Sequence, residues 1–98
     1  MSTADGSKLS EDLRETPQPV EGLEITEVEG GLVVYDPDRD RVHYLNATAS
    51  AVFMLCDGEI PRDRIAETTA RLFGDAVSTE EVEACLAQLE GERVIRSP

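Results

Sequence analysis

Leu45-Asn46-Ala47-Thr48-Ala49-Ser50-Ala51-Val52-Phe53-Met54-Leu55-Cys56-Asp57-Gly58 decides the fold, because it joins a strand to a helix with no loop between them. Asn46 stands where a helix N-cap is required, with a side-chain oxygen free to accept an orphan backbone N–H. Ala49, Val52, Phe53 and Cys56 fall at i, i+3, i+4 and i+7, so they line one helical face. Ala47, Ala51, Met54 and Leu55 make most of the remaining surface apolar, the mark of a helix buried on more than one side. Asp57-Gly58 ends it, glycine being free to take the left-handed conformation after a helix. The pattern predicts a central helix with other elements packed around it.

Working back toward the N-terminus, Arg41-Val42-His43-Tyr44-Leu45 is the strand fused to that helix. Val42 and Tyr44 share one of its faces; Arg41, His43 and Leu45 share the other. Asp36-Pro37-Asp38-Arg39-Asp40 is turn chemistry, since proline fixes φ and aspartate bonds back to the backbone. Leu32-Val33-Val34-Tyr35 is rich in β-favouring residues, and Gly30-Gly31 before it is a turn signal. Leu23-Glu24-Ile25-Thr26-Glu27-Val28 starts with the alternation of a half-buried strand. Val28 breaks the phase, so a bulge or the strand's end is expected there. Three strands joined by two tight turns predict an antiparallel meander.

Downstream, Pro61 suits the first position of a second helix. Ile65, Thr69, Leu72 and Phe73 form its inward stripe, with Ala66 beside them. Arg62, Arg64, Glu67 and Arg71 decorate the outside, and Gly74 stops it. Ser78 with Glu81 is a capping box that opens a third helix. Its core stripe is Val82, Cys85, Leu86 and Leu89, and Gly91 is expected to end it. Arg93 to Arg96 is a short terminal strand or an extended tail. The order predicts an α+β fold, a winged helix-turn-helix with a three-stranded antiparallel sheet followed by three helices.

The chain of 98 residues carries a formal net charge of -12, from 21 acidic against 9 basic residues. Nucleic-acid binding is mostly phosphate neutralisation by Lys and Arg, so this balance argues against it, and against anionic membrane for the same reason. No apolar run approaches the ~20 residues of a membrane span, and the N-terminus lacks a signal-peptide h-region, which points to a cytoplasmic protein. Residues 1–22 are polar, include Pro17 and Pro19, and show no sustained period. They read as a disordered N-terminal arm, leaving 23–98 as the folded domain. Cys56 and Cys85 have no partner histidine nearby and read as buried free thiols.

Several motifs reduce to local structure. The acids of Asp36, Asp38 and Asp40 start like a calcium loop, but Arg41 and Ala47 stand where that loop needs Gly and Glu. Asn46-Ala47-Thr48 fits a glycosylation sequon, and the N-cap role already accounts for the asparagine. His43, the only histidine, has no Ser, Cys or paired carboxylate at an informative spacing, so no catalytic set is identified and no cofactor is expected.

The third helix is more informative. A DNA-recognition helix should present Lys or Arg, whereas Glu80, Glu81, Glu83, Gln88 and Glu90 are the exposed positions here. Glu80, Ala84, Ala87 and Gly91 fall at i, i+4, i+7 and i+11. They form either a shallow furrow or simply good helix formers on a surface. In a meander the strand Arg41 to Leu45 is an edge, whose unpaired N–H and C=O groups invite another strand. Dimerisation, or blunting by its own charges, is the other reading of that edge.

The run from Leu45 to Gly58 resembles the LNxTAxxxxxLCDG signature of the PqqD-like proteins, named after the D protein of pyrroloquinoline quinone biosynthesis. The likeness continues through Ile65 to Gly74 and into a third helix ending in Leu89, Gly91 and Val94-Ile95. The resemblance implies a non-catalytic peptide chaperone. In this reading the leader of a ribosomally made precursor adds as a strand to the third strand and lies in a groove against the third helix. The domain then presents it to a maturation enzyme such as a radical S-adenosylmethionine enzyme or a leader peptidase. Carried onto this chain, Arg41, Val42, His43, Tyr44 and Leu45 supply the strand, and Glu80, Ala84, Ala87, Gln88 and Gly91 line the groove. The hairpin from Asp36 to Arg41 is longer than in the quinone protein and looks more like that of stand-alone members from lasso-peptide and other clusters. The acidic third helix leads to the expectation of a leader with apolar anchors and basic residues facing Glu80, Glu83 or Glu90. The alternative is a winged-helix DNA-binding regulator or antitoxin-like protein, against which the same acidity speaks.

Overall fold

The computed structural model describes residues 16–97. Its elements are β1 (Gln18–Pro19), β2 (Glu24–Val28), β3 (Gly31–Asp36), β4 (Arg41–Leu45), α1 (Ala47–Leu55), α2 (Arg62–Leu72), α3 (Thr79–Gly91) and β5 (Ile95–Arg96), with a short 3-10 turn at Gly74–Ala76. Strands β2, β3 and β4 form an antiparallel sheet in that order. The winged helix-turn-helix arrangement predicted from the sequence, a three-stranded sheet followed by three helices, is the one observed.

The first hairpin closes at the pair Val28–Gly31, so its two-residue loop is Glu29-Gly30, one position earlier than the glycine pair suggested. Gly30 supplies the positive φ of 83°. Gly31 serves a different need: a Cβ there would run into the backbone carbonyl of Leu45. Val28 stays in register with no bulge, and the strand ends there. Strand β2 is exposed throughout, with Ile25 49% accessible, contrary to the half-buried reading. The reason is lateral position: α1 packs on β3 and β4, and β2 extends the sheet beyond that cover.

The second hairpin is organised by Asp36. One carboxylate oxygen accepts the N–H groups of Asp38 (3.1 Å) and Arg39 (3.3 Å), and the other meets Arg39 Nη1 at 3.1 Å. Burial acts to raise the Asp36 carboxyl, but the Arg39 guanidinium and the two N–H groups outweigh it and hold it below its ordinary range. The aspartate that looked like the start of an ion loop is thus the brace of a turn.

Helix α1 opens as the sequence requires, with the Ala49 N–H donating to Asn46 Oδ1 at 2.9 Å. It buries Ser50, Val52 and Phe53, followed by Cys56. The Ser50 hydroxyl donates to the Leu45 carbonyl at 3.0 Å, which satisfies a polar group the apolar pattern had passed over. The helix is not buried all round: Met54 is 69% accessible and Ala47 is exposed, so one flank faces solvent. Its partners are β3, β4, α2 and α3, which makes it the central element.

The core joins Leu32, Val34 and Leu45 of the sheet to Val52, Phe53, Ile65, Val82, Leu86 and Leu89 of the helices. In α2 the buried residues are Ile65, Ala66 and Thr69, while Leu72 is 66% accessible. Leu72 is in phase with the stripe, but the helix ends there and the chain turns away at Gly74 (φ 63°). Pro61 precedes the helix as its cap rather than occupying the first turn. The capping box of α3 is complete, Ser78 and Glu81 each bonding the other's backbone N–H.

Helix α3 runs to Gly91, as expected, but Gly91 is not its left-handed stop. The left-handed residue is Arg93 (φ 63°), with Arg93 N–H bonding the Glu90 carbonyl and Val94 N–H the Leu89 carbonyl. This is a Schellman stop with arginine where glycine is usual. Strand β5 then pairs antiparallel with β1, and the Val20 N–H donates to the Val94 carbonyl at 3.0 Å. The folded part therefore begins ahead of β1, before the boundary at residue 22 that composition suggested; residues 1–15 of the expected arm lie outside the described residues. Among the described residues no helix is long and apolar enough to cross a membrane.

Candidate functional site

Among the described residues strand β4 has one neighbour, β3, and its other edge is unpaired. The register pairs Leu45 with Leu32, His43 with Val34 and Arg41 with Asp36. The closeness of the Leu45 carbonyl to Gly31 places that carbonyl on the β3 side. In an antiparallel ladder, hydrogen-bonded and non-bonded pairs alternate. Leu45, His43 and Arg41 thus direct their main-chain groups toward β3, and Val42 and Tyr44 direct theirs to the free edge. Their side chains share a face, as the alternation predicted, and the packing makes it the outer one, 66% and 61% accessible. Leu45 points into the core and His43 is half-buried.

Beside that edge runs a groove of about 570 Å³ between β4, the start of α1 and the side of α3. At one end it meets Asn46, Thr48 and Ala49 of the strand-to-helix junction, with Val77 and Glu81 across from them. At the other it meets His43 and Glu92, whose Nδ1 and Oε1 lie 3.5 Å apart and tie β4 to the end of α3. Between the ends, Ala84, Cys85, Gln88 and Leu89 form the α3 wall.

Of the residues anticipated for a site, the groove gathers Val42, His43, Tyr44, Leu45, Ala84 and Gln88. Arg41, Glu80, Ala87 and Gly91 do not line it. Glu80 belongs to a separate shallow pocket between α2 and α3, with Asp63, Glu67 and Glu83, and Ala87 and Gly91 are exposed. The α3 line on the groove is Glu81, Cys85, Gln88 and Glu92. It has the same spacing as the anticipated line, shifted by one residue, or about 100° around the helix. Half-burial of Cys85 beside the fully buried Val82 and Leu86 marks where the core stripe gives way to the groove. Asn46, Thr48 and Ala49 were also passed over, although a helix fused to the strand must place its first turn at the strand's end.

The electrostatics follow from this phase. Glu81 and Glu92 are the acids on the groove. Glu83 and Glu90, expected to face a ligand, instead meet Arg62 at 3.6 and 2.8 Å, and Glu90 also accepts from Ser97 Oγ at 2.7 Å. Burial pushes the Cys56 thiol up to about 12, and its Sγ–H donates to the Val52 carbonyl at 3.1 Å. Burial also raises the Cys85 thiol. Both environments disfavour the thiolate, the reactive form of the group. Among the described residues no group of three or more His, Cys, Asp and Glu side chains is placed to hold a metal ion.

The family described as coenzyme PQQ synthesis protein D (PqqD) matches residues 31–95, from the start of β3 into β5. No curated protein and no solved structure matches the chain.

Proposed function

The chain belongs to the PqqD family, and on that premise we propose that it takes the leader of a ribosomally made precursor as an added strand along β4. It is a non-catalytic chaperone that recognises a peptide and presents it to a partner enzyme. The observation that carries the strand-addition reading is a coincidence of two features. Among the described residues the sheet edge bordering the groove is that of β4, and its main-chain groups turned away from β3, those of Val42 and Tyr44, lie along the groove's length. An added strand gains main-chain bonds from such an edge and side-chain selectivity from the pockets beside it.

On this reading Val42 and Tyr44 exchange main-chain bonds with the leader. Arg41, His43 and Leu45 hold the strand to β3, and His43 also contributes to the groove. Side chains on one face of the leader enter between Tyr44, Ala84, Cys85 and Gln88. The acids available to basic leader residues are Glu81 and Glu92, in place of Glu80, Glu83 and Glu90. A radical S-adenosylmethionine enzyme or a leader peptidase fits as the partner that receives the precursor, and a cytoplasmic location fits a substrate delivered by the ribosome.

Titration of the isotope-labelled protein with the leader peptide encoded beside its gene tests this. Amide shifts should concentrate in Arg41 to Asn46 and along Glu81, Cys85, Gln88 and Glu92. Shifts spread over α2 instead would refute the groove. Ordering a flexible leader costs about 2–5 kcal/mol, so the expected affinity is moderate.

A further inference from the structure

A second cleft, of about 390 Å³, opens just past the Arg41 end of β4. Its floor is apolar, from Val20 and Ile95, and its rim carries Arg39, Arg93 and Arg96. In a chain of net charge -12 with 9 Lys and Arg in all, three of those nine converge here. Arg41, the first residue of β4, follows Arg39 by two positions.

Among the described residues the cationic charge of this cleft is largely uncompensated. Arg39 shares the Asp36 carboxylate and is still 43% accessible. The one acid lining the cleft, Glu90, is already held by Arg62 and Ser97. Among the described residues neither Arg93 nor Arg96 meets a carboxylate. Arg96 Nε and Nη2 lie 3.3 and 3.0 Å from the end of the Gln18 side chain, and the amide orientation that satisfies both groups turns its oxygen toward them. Arg93 is presented by its left-handed backbone at the stop of α3, the residue after the Glu92 that closes the groove against His43. Cleft and groove are therefore consecutive, with Glu92 and Arg93 adjacent on one side and the start of β4 between them on the other.

We propose that this arginine cleft binds an acidic segment of the same peptide that lies in the groove. This rests on the strand-addition reading above. A strand laid along β4 leaves the groove at its His43–Glu92 end and meets the arginines next. At about 3.3 Å per residue, Asp or Glu some two to four positions beyond the residue bonded to Val42 would reach them. Guanidinium groups suit this ligand because their planar forks match carboxylates two bonds at a time. The peptide specified has apolar anchors in the groove, with basic residues toward Glu81 or Glu92, and is acidic where it exits toward Arg41. The acidic ligand segment accounts for a cationic cleft on a domain whose other charged surfaces are mostly negative.

The test uses acetyl-hexaglutamate amide as probe, with acetyl-hexaglutamine amide and inorganic phosphate as comparisons, followed on the arginine Nε–Hε signals. Hexaglutamate should shift Arg39, Arg93 and Arg96, leaving Arg64 and Arg71 on α2 in place. Arg93→Gln should weaken it about two- to five-fold, as for one exposed ion pair, and Arg71→Gln should not. No shift, equal shifts at Arg64 and Arg71, or the same effect from phosphate at equal charge would each overturn the proposal. In a second arm the leader is extended by three glutamates at one end or the other. One extension should tighten binding relative to three glutamines, and Arg93→Gln should erase the gain. A leader that shifts the groove while neither extension helps sinks the cleft and leaves the function standing. Hexaglutamate binding without any groove shift by the leader does the reverse.

Discussion

Replacing Val42 by proline removes one main-chain donor from the free edge of β4 and nothing from the ladder to β3. Proline lacks an N–H and is tolerated on edge strands where that group faces solvent. The Val42 side chain is 66% accessible, so its loss costs little core. The variant should fold, with a modest drop in melting temperature. Its effect on leader binding is one hydrogen bond, about 0.5–1.5 kcal/mol net, or roughly a two- to thirteen-fold rise in Kd. Val42→Ala, which keeps the N–H, should bind close to wild type. His43→Pro is the counterpart: His43 pairs with Val34, which is fully buried, and its ring meets Glu92. Removing that ladder donor strands a buried carbonyl, at about 1–3 kcal/mol, at a paired position where proline is excluded from sheets. Isothermal titration with the leader and thermal melts by circular dichroism read the two effects separately. If Val42→Pro unfolds the domain as far as His43→Pro, the ladder phase assigned from Leu45 and Gly31 is wrong. If it folds and binds as wild type, the leader does not add to β4.

Three further outcomes follow from the packing and the ionisable groups. Leu86→Ala empties a fully buried position in α3 and should cost about 2–5 kcal/mol, visible as a melting temperature lower by about 10 °C or more. Asp36 has a folded-state pKa below its unfolded value near 3.8. Its contribution is thus present above that value and lost as pH falls through the lower folded value. Asp36→Asn should accordingly unfold at lower urea than wild type at pH 7, and the difference should close on acidification; a gap that widens in acid would contradict the brace. Iodoacetamide at pH 8 should spare Cys56 in the native protein and label Cys85 slowly, and the leader should slow Cys85 further. Leader-independent labelling of Cys85 would place the peptide elsewhere.

The misread positions share a cause. Periodicity reports which residues of an element share a side, and says nothing of how far the neighbouring element extends. Ile25 alternates properly but sits on a strand beyond the cover of α1. Leu72 is in phase with Ile65 and Thr69 but falls where the chain turns away. Met54 lies on a nearly all-apolar helix whose neighbours occupy only part of its circumference. The stop of α3 at Arg93 was hidden for another reason: glycine is the cheap left-handed residue, so Gly91 drew the prediction, and the Schellman bonds to Leu89 and Glu90 hold arginine there instead.

For the function, local chemistry settled much. The fused strand and helix at Leu45-Asn46, the alternation that puts Val42 and Tyr44 on one face and His43 and Leu45 on the other, and the Ser78–Glu81 capping box are consequences of a few adjacent residues, so the sequence alone determined them, whereas packing chose which face of the strand looks outward. The fold class follows from those elements in order, and so does the edge position of β4. Tertiary packing alone decided which side of α3 faces that edge. A helix with alanine, glutamine and glutamate on most of its outer positions carries little signal separating the line through Glu80 from the line through Glu81. The choice was made by Leu86 and Val82 locking into the core against α1 and α2, which rotates Cys85 and Gln88 toward β4. The same packing gathered Arg39, Arg93 and Arg96 at the groove's end, from two segments more than fifty residues apart in the chain. Side chains that distant meet only when the strand and the helix carrying them have been fixed by a common core.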